Sequence, residues 1–370
     1  MREVLAGAAL ALVIVLAVSL LRTPSPAPRP TPTVIVPDSG GAFRELALHF
    51  DPRTEALIGP TYRDFLRAID PSVEVWIASE TEAGFARFMV LAAEWGVPRP
   101  ERFHAALVGK RITTWSRDRY TLLRRGDERL LLVPPRPNRG NEARENDWNA
   151  PFAIATAHGG VTVEVSPLVF DGGDMVATDD NVFATAVLPG RNQGGTYGDR
   201  LALLDYLRDT TGKEPVLIGD DPTRVPQHHI CMIATPLGGK VVLVGDPDAG
   251  LRLLPADADL PRAVDRSEPT LETFRLVARE LEKQGFDVRR VPLVPLDDGL
   301  TYVSYNNAML ERRADGKLHA YVPTFGIPPL DKAGLAVYEA AGVMVHPIDA
   351  RGIYAYNGTV RCLVNVLDRR

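Results

Sequence analysis

Cysteine is nearly absent from this chain: Cys231 and Cys362 are the only two among 370 residues. So few cannot build a disulfide scaffold, and they lack the short paired spacing of a zinc site. Excess positive charge is missing as well. The formal net charge is -5, which leaves no basic footprint for nucleic acid. Also missing is the strict strand–helix alternation that would build a doubly wound parallel sheet. What remains is ordinary for a globular protein, with 45% hydrophobic and 24% charged residues.

Charge is absent altogether from Leu5 to Leu21, a 17-residue apolar run preceded by Arg2 and Glu3. Its length sits between a short membrane-spanning helix and a long signal-peptide core. The expected organisation is therefore a signal-anchor or signal peptide over residues 1–22 and a Pro-rich linker over 23–40. One folded domain follows over 41–370. The domain would lie outside the cytoplasm, membrane-anchored if the segment is retained and secreted or periplasmic if it is cleaved.

The folded part has helical periodicity over Pro60–Ile69 and Glu82–Trp95, with a strand at Val73–Ala78 between them. Hairpins then recur. Arg111–Leu123 is expected to pair with Arg129–Pro134 across Gly126. Asp174–Ala186 forms a second hairpin, His229–Val244 turns at Gly238-Gly239, and Thr301–Pro323 turns at Asp315-Gly316, dipeptides suited to tight turns. Helices at Asp199–Asp209, Leu271–Gln284 and Leu330–Ala341 follow the last three, each leading to a strand. Asn138–Asn149 is a polar loop of no recognisable pattern, and Val360–Val366 is a last strand able to close a ring. Repeated hairpin–helix–strand units indicate an α/β ring of ββαβ elements with no bare sheet edge.

Chemically useful residues fall at equivalent points of these units: Asp118, Asp171 with Asp174 around Gly172-Gly173, His229, Tyr305-Asn306-Asn307 and Cys362. Carboxylates rarely enter apolar runs unless paired with a cation, and glycines inside strands often mark close approach. A cysteine nucleophile, a histidine and several carboxylates suit attack on a cationic carbon centre. The acids would grip a guanidinium, whose charge helps a thiolate form.

Five segments, in order, resemble the guanidine-modifying (pentein) superfamily. Trp115-Ser116-Arg117-Asp118 looks like the W-x-R-D motif of agmatine deiminases and bacterial peptidyl-arginine deiminases. Phe170-Asp171-Gly172-Gly173-Asp174, with Arg191-Asn192-Gln193 downstream, is closest to dimethylargininases. His229-Ile230-Cys231 stands where the family has His-x-Asp, Tyr305-Asn306-Asn307 resembles a Tyr-x-Asn strand, and Gly358–Cys362 resembles the nucleophile segment.

The resemblance implies a five-bladed α/β-propeller, no cofactor and no metal. Cys362, His229 and Asp171 would be catalytic. Asp118, Asp174, Arg117, Trp115 and Asn306 would bind a small guanidino compound or an arginyl peptide. The implied activity is hydrolysis of C–N bonds in a linear amidine through a Cys-amidino intermediate. Amidino transfer and a catalytically silent, cation-binding pentein are the alternatives, the last because Cys231 replaces an acid. Cys231 would face Cys362 across the pocket, either as a disulfide partner or as a small apolar neighbour. His228 rivals His229 as the base.

Overall fold

One local plan is used again and again. A short antiparallel hairpin leads into a helix, and the helix returns a strand parallel to the hairpin's second strand. In the computed structural model, which describes residues 31–136 and 141–370, the hairpin Thr121–Arg125/Glu128–Val133 is followed by Ala150–His158 and Thr162–Val165. Val176–Ala177/Asn181–Thr185 is followed by Arg200–Thr211 and Glu214–Ile218. Ala234–Gly238/Val241–Asp246 is followed by Glu268–Lys283 and Asp287–Pro295. Met309–Arg312/Leu318–Thr324 is followed by Pro328–Ala340 and Met344–Asp349.

The fifth unit joins the two ends of the chain. Val364–Arg369 pairs antiparallel with Phe43–Phe50, and the helix Glu55–Ala68 then returns Glu74–Ser79 in parallel. The helix Glu82–Glu94 then leads to Phe103–Leu107, which extends that sheet. Each helix covers its sheet with one apolar stripe. Glu268–Lys283 buries Leu271, Phe274, Val277, Ala278 and Leu281, a helical spacing of three and four. Residues Thr33–Arg370 form one compact unit.

The linker expected to end at residue 40 gives way earlier to structure. The β-branched run Thr33–Ile35 pairs with Thr121–Arg125 as an additional edge strand. The apolar N-terminal run lies outside the described residues. Among the described residues no helix is long and apolar enough to cross a membrane.

Four further expectations are corrected. The strand placed over Arg111–Leu123 begins only at Thr121, because Ser116–Arg119 is a 3-10 turn. The last strand begins at Val364, because Val360–Leu363 is a helical turn. Thr301–Pro323 divides: Tyr302–Ser304 pairs back with Asp287–Pro295, while Met309–Arg312 opens the next sheet. Within the polar loop, Glu142–Asn146 is helical, started by Asn141, whose Oδ1 accepts from Arg144 N at 3.2 Å. The motif segments share one placement. Ser116–Arg119, Gly172–Asp174, Ile230–Met232, Asn306-Asn307 and Val360–Leu363 each lie just ahead of the first strand of a sheet unit.

Candidate active site

The Gly-Gly pair explains how these pre-strand turns meet. A Cβ on Gly172 would lie 2.2 Å from the carbonyl oxygen of Arg117, and one on Gly173 would lie 2.5 Å from His229 Nδ1. Only glycine lets the three segments approach so closely.

Cys362 lies in the turn Val360–Leu363 and is held by Asn307 from two sides. Asn307 Nδ2 donates to the sulfurs of Cys362 and Cys231, both at 3.2 Å. Its Oδ1 accepts from Thr359 N at 3.1 Å, Thr359 Oγ1 at 2.9 Å and Cys362 N at 3.3 Å. Asn306, the neighbour singled out from the motif, points elsewhere. Its Nδ2 donates to Leu243 O at 3.1 Å and Thr235 Oγ1 at 3.3 Å, so it ties strands together rather than meeting a ligand.

His229 Nε2 lies 3.2 Å from Asp171 Oδ2 and 4.0 Å from Asp174 Oδ1, and Nδ1 lies 3.9 Å from Asp118 Oδ1. Burial would discharge this imidazole. The Asp171 hydrogen bond, the Cys231 sulfur and the charges of Asp174 and Asp118 outweigh burial and hold it protonated, well above the ordinary histidine range. His228 is different. Burial first, then the charge on His229, pushes it down to about 3, and its Nδ1 accepts from His229 N at 2.8 Å. A neutral His228 braces the backbone, while His229 carries the proton.

The two cysteines are free thiols, both buried. Their sulfurs and a ring nitrogen of His229 all lie within 4.8 Å of one another. The neighbouring sulfur of Cys231, then burial, pushes the Cys362 thiol well up. Burial also opposes ionisation of Cys231, but the Cys362 hydrogen bond, Arg361 and His229 bring it well down. The pair thus shares one negative charge, drawn towards the imidazolium.

Acids and arginines alternate around the remaining wall. Arg144 Nη2 donates to Asp118 Oδ2 at 2.6 Å. Asp171 accepts from Arg119 at 2.8 Å and Arg191 at 2.5 Å. Burial opposes ionisation of Asp171, yet His229, Arg191 and Arg119 hold the carboxyl well below the usual range. Arg144, Arg191, Asp118, Asp171, His229, Trp115 and Cys362 all line a cavity of about 310 Å³. Among the described residues, Asp118 Oδ1 and Arg144 Nη1 are buried there without a hydrogen-bond partner.

Besides Asn306, two expected ligand-binding residues take other positions or work through others. Arg117 is buried away from the cavity lining, donating to Gly172 O and Asn365 Oδ1, each at 3.1 Å. Asp174 stands behind Asp171, its Oδ2 accepting from Asp171 N at 2.8 Å to close the turn. Trp115 does line the cavity and packs on Gly358, where a Cβ would lie 2.6 Å from its ring. Sequence reading missed Arg144, Arg191 and Asn307 as site residues. For Asn307 the signal was present in the doubled asparagine, but not which of the two turns inward.

These five sheets with their converging turns define a fold shared with solved deiminases. Campylobacter jejuni agmatine deiminase matches with a TM-score of 0.68 at 14% identity, covering 91% of this chain and 97% of that one. Agmatine deiminase of Enterococcus faecalis matches at 0.67 and 12% identity, covering 91% and 96%. A structure named as a candidate peptidyl-arginine deiminase gives 0.67 at 13% identity, covering 90% and 98%. No protein-family model and no curated protein matches the chain by sequence. The likeness shows the fold, the pentein fold expected from the motifs, and the site's own chemistry must carry the function.

Proposed function

We propose that the chain hydrolyses a C–N bond of a guanidino compound that also bears a carboxylate. The observation that carries this reading is the pairing of unmet groups in one cavity. Among the described residues Asp118 Oδ1 has no hydrogen-bond donor and Arg144 Nη1 no hydrogen-bond acceptor, the opposite charges beside them being His229 Nδ1 at 3.9 Å and Asp147 Oδ2 at 3.6 Å, in the same cavity as the Cys362 sulfur. A buried polar group without a partner costs about 1–3 kcal/mol, more when charged, so a ligand supplying both partners is favoured. A zwitterion exchanges ion pairs within the site for ion pairs with the ligand. A bare cation would take Asp118 from Arg144 and leave that buried guanidinium with the Asp147 carboxylate, 3.6 Å away and not hydrogen-bonded to it. The fold agrees with such chemistry, since its solved neighbours include agmatine deiminase with substrate bound to a serine-for-cysteine variant.

In the proposed reaction the Cys362 proton passes to the Cys231 thiolate, and the Cys362 sulfur attacks the guanidinium carbon, held by Asp118. His229 gives its proton to the departing nitrogen as the C–N bond breaks, leaving the carbon bound to sulfur. Neutral His229 then takes a proton from water, whose oxygen attacks that carbon. Expulsion of the Cys362 sulfur, with the hydroxyl proton lost to the released amine, completes a neutral ureido product, and the proton held by Cys231 returns to Cys362. The five sheets are read as blades of a ring around this cavity. The residue 1–22 segment, read as a signal-anchor or signal peptide, would place the domain outside the cytoplasm, which fractionation of expressing cells checks.

The test is incubation of the reduced protein with arginine, methylarginines, agmatine and an arginyl peptide, followed by assay of ureido products. Free amino acids should turn over best. Agmatine as the preferred substrate would remove the carboxylate from the account. A second reading, a silent scaffold that binds cations, is favoured by Cys231 in place of an acid. It predicts ligand binding with no product. Amidino transfer predicts product only when an acceptor amine is added.

A further inference from the structure

Beyond any hydrolytic role, the chemistry of three side chains points to a second kind of ligand. His229, Cys231 and Cys362 are all buried, and one ring nitrogen and two sulfurs lie within 4.8 Å of one another. The Asn307 amide donates to both sulfurs at 3.2 Å, which keeps them turned to a common point. His229 has Nε2 at 3.2 Å from the Asp171 carboxylate, while its buried Nδ1, 3.9 Å from Asp118 Oδ1, has no hydrogen-bond partner among the described residues. A ring with one nitrogen hydrogen-bonded to a carboxylate and the other making no hydrogen bond is how ligating histidines are commonly held. The two cysteines are far apart in sequence, so spacing gave no sign of this set.

Tetrahedral zinc takes bonds of about 2.3 Å to sulfur and about 2.0–2.1 Å to imidazole nitrogen. Such bonds place the donors roughly 3.5–3.8 Å apart, a contraction of at most about 1.3 Å from spacings that are all within 4.8 Å here. Binding would release the His229 proton and the thiol proton held by the cysteine pair; the two thiolates then balance a divalent charge, and thiolate with imidazole selects zinc over magnesium or calcium. Cys362 and His229 also line the cavity, which leaves room for a fourth, exchangeable ligand.

We propose that His229, Cys231 and Cys362 form a three-ligand site for a soft divalent cation of the Zn²⁺ class. The ion would occupy the sulfur and imidazole that a guanidino substrate needs, so metal and substrate exclude each other. Cys231, where an acid was expected, is the residue that creates the site.

The test uses the reduced full-length chain and Zn²⁺ alone, with bound metal measured after desalting. One zinc per chain is expected, with alkylation of the cysteines slowed at least tenfold and restored by a chelator. Co²⁺ in place of zinc should give sulfur-to-metal charge-transfer absorption, which adventitious surface histidines cannot produce. Cys231→Ser and His229→Gln should each weaken binding at least tenfold. Absence of stoichiometric zinc, absence of the cobalt–sulfur band, or full binding by Cys231→Ser overturns the proposal. The wild-type cobalt spectrum decides even if a variant fails to fold. None of these readouts depends on hydrolysis, so failure of one reading leaves the other to its own test.

Discussion

Asn307 shows how much a single amide can organise. It donates to two sulfurs and accepts from the turn that carries one of them. Asn307→Ala should lower kcat at least tenfold with little change in KM, since the thiol loses its direction and the substrate its binding groups do not. Steady-state kinetics on the preferred substrate measures this, and a change confined to KM would contradict the role. The motif around Asn307 was legible, yet its neighbour Asn306 was chosen. Strand alternation decides which side chain turns inward, and a non-strand turn before Met309 removes that guide. Arg144 was illegible for another reason. It lies in a short helix inside a polar stretch, and only tertiary contact with Asp118 gives it meaning.

A second residue-scale prediction concerns acid. His49 is buried, and burial holds its pKa down to about 4 against an ordinary 6.5. Above pH 6.5 the ring is neutral in both folded and unfolded chains and has no effect on pH dependence. As pH falls from 6.5 towards 4 the unfolded chain takes up a proton that the folded one refuses, so stability falls. The loss is on the order of 3 kcal/mol from this group alone. His228, held at about 3, acts in the same direction. Denaturant unfolding across this range should show the decline, and His49→Gln should flatten it.

At the scale of elements, the hairpin–helix–strand plan was legible because hairpin turns carry Gly and the helices carry one apolar stripe. The strand ends were not. Buried residues in the 3-10 turn Ser116–Arg119 and in the helical turn Val360–Leu363 look, in sequence, like continuations of the strands that follow them. The segment after the Pro-rich run shows a related gap. Asp38 accepts from Arg361 Nε at 3.0 Å and Nη2 at 2.7 Å, and Arg361 is the residue next to Cys362. Thus the start of the folded unit braces the nucleophile's turn. Asp38→Ala leaves Arg361 without its carboxylate and should destabilise by about 3–5 kcal/mol, the usual cost of breaking a buried pair. Thermal unfolding measures it; a loss within experimental error would mean the pair is not needed.

For the whole molecule, closure between the two ends is the feature the sequence announced least precisely. Val364–Arg369 finds its partner in Phe43–Phe50, so neither of these two strands can be removed. Removal of residues 1–32 should leave a folded core, whereas deletion from Val364 onward should abolish cooperative unfolding. Limited proteolysis should accordingly cut ahead of Thr33 and leave one resistant fragment.

The cavity sets the largest claim, that a cysteine-dependent hydrolysis is selected by two opposite charges on one ligand. The most direct measurement is the ratio of kcat/KM for arginine over agmatine, in the wild type and in Arg144→Ala, with Cys362→Ala as the chemical control. Arginine should be preferred at least tenfold, Arg144→Ala should remove most of this preference, and Cys362→Ala should form no ureido product. Equal use of both substrates by the wild type, or turnover surviving in Cys362→Ala, would contradict that claim.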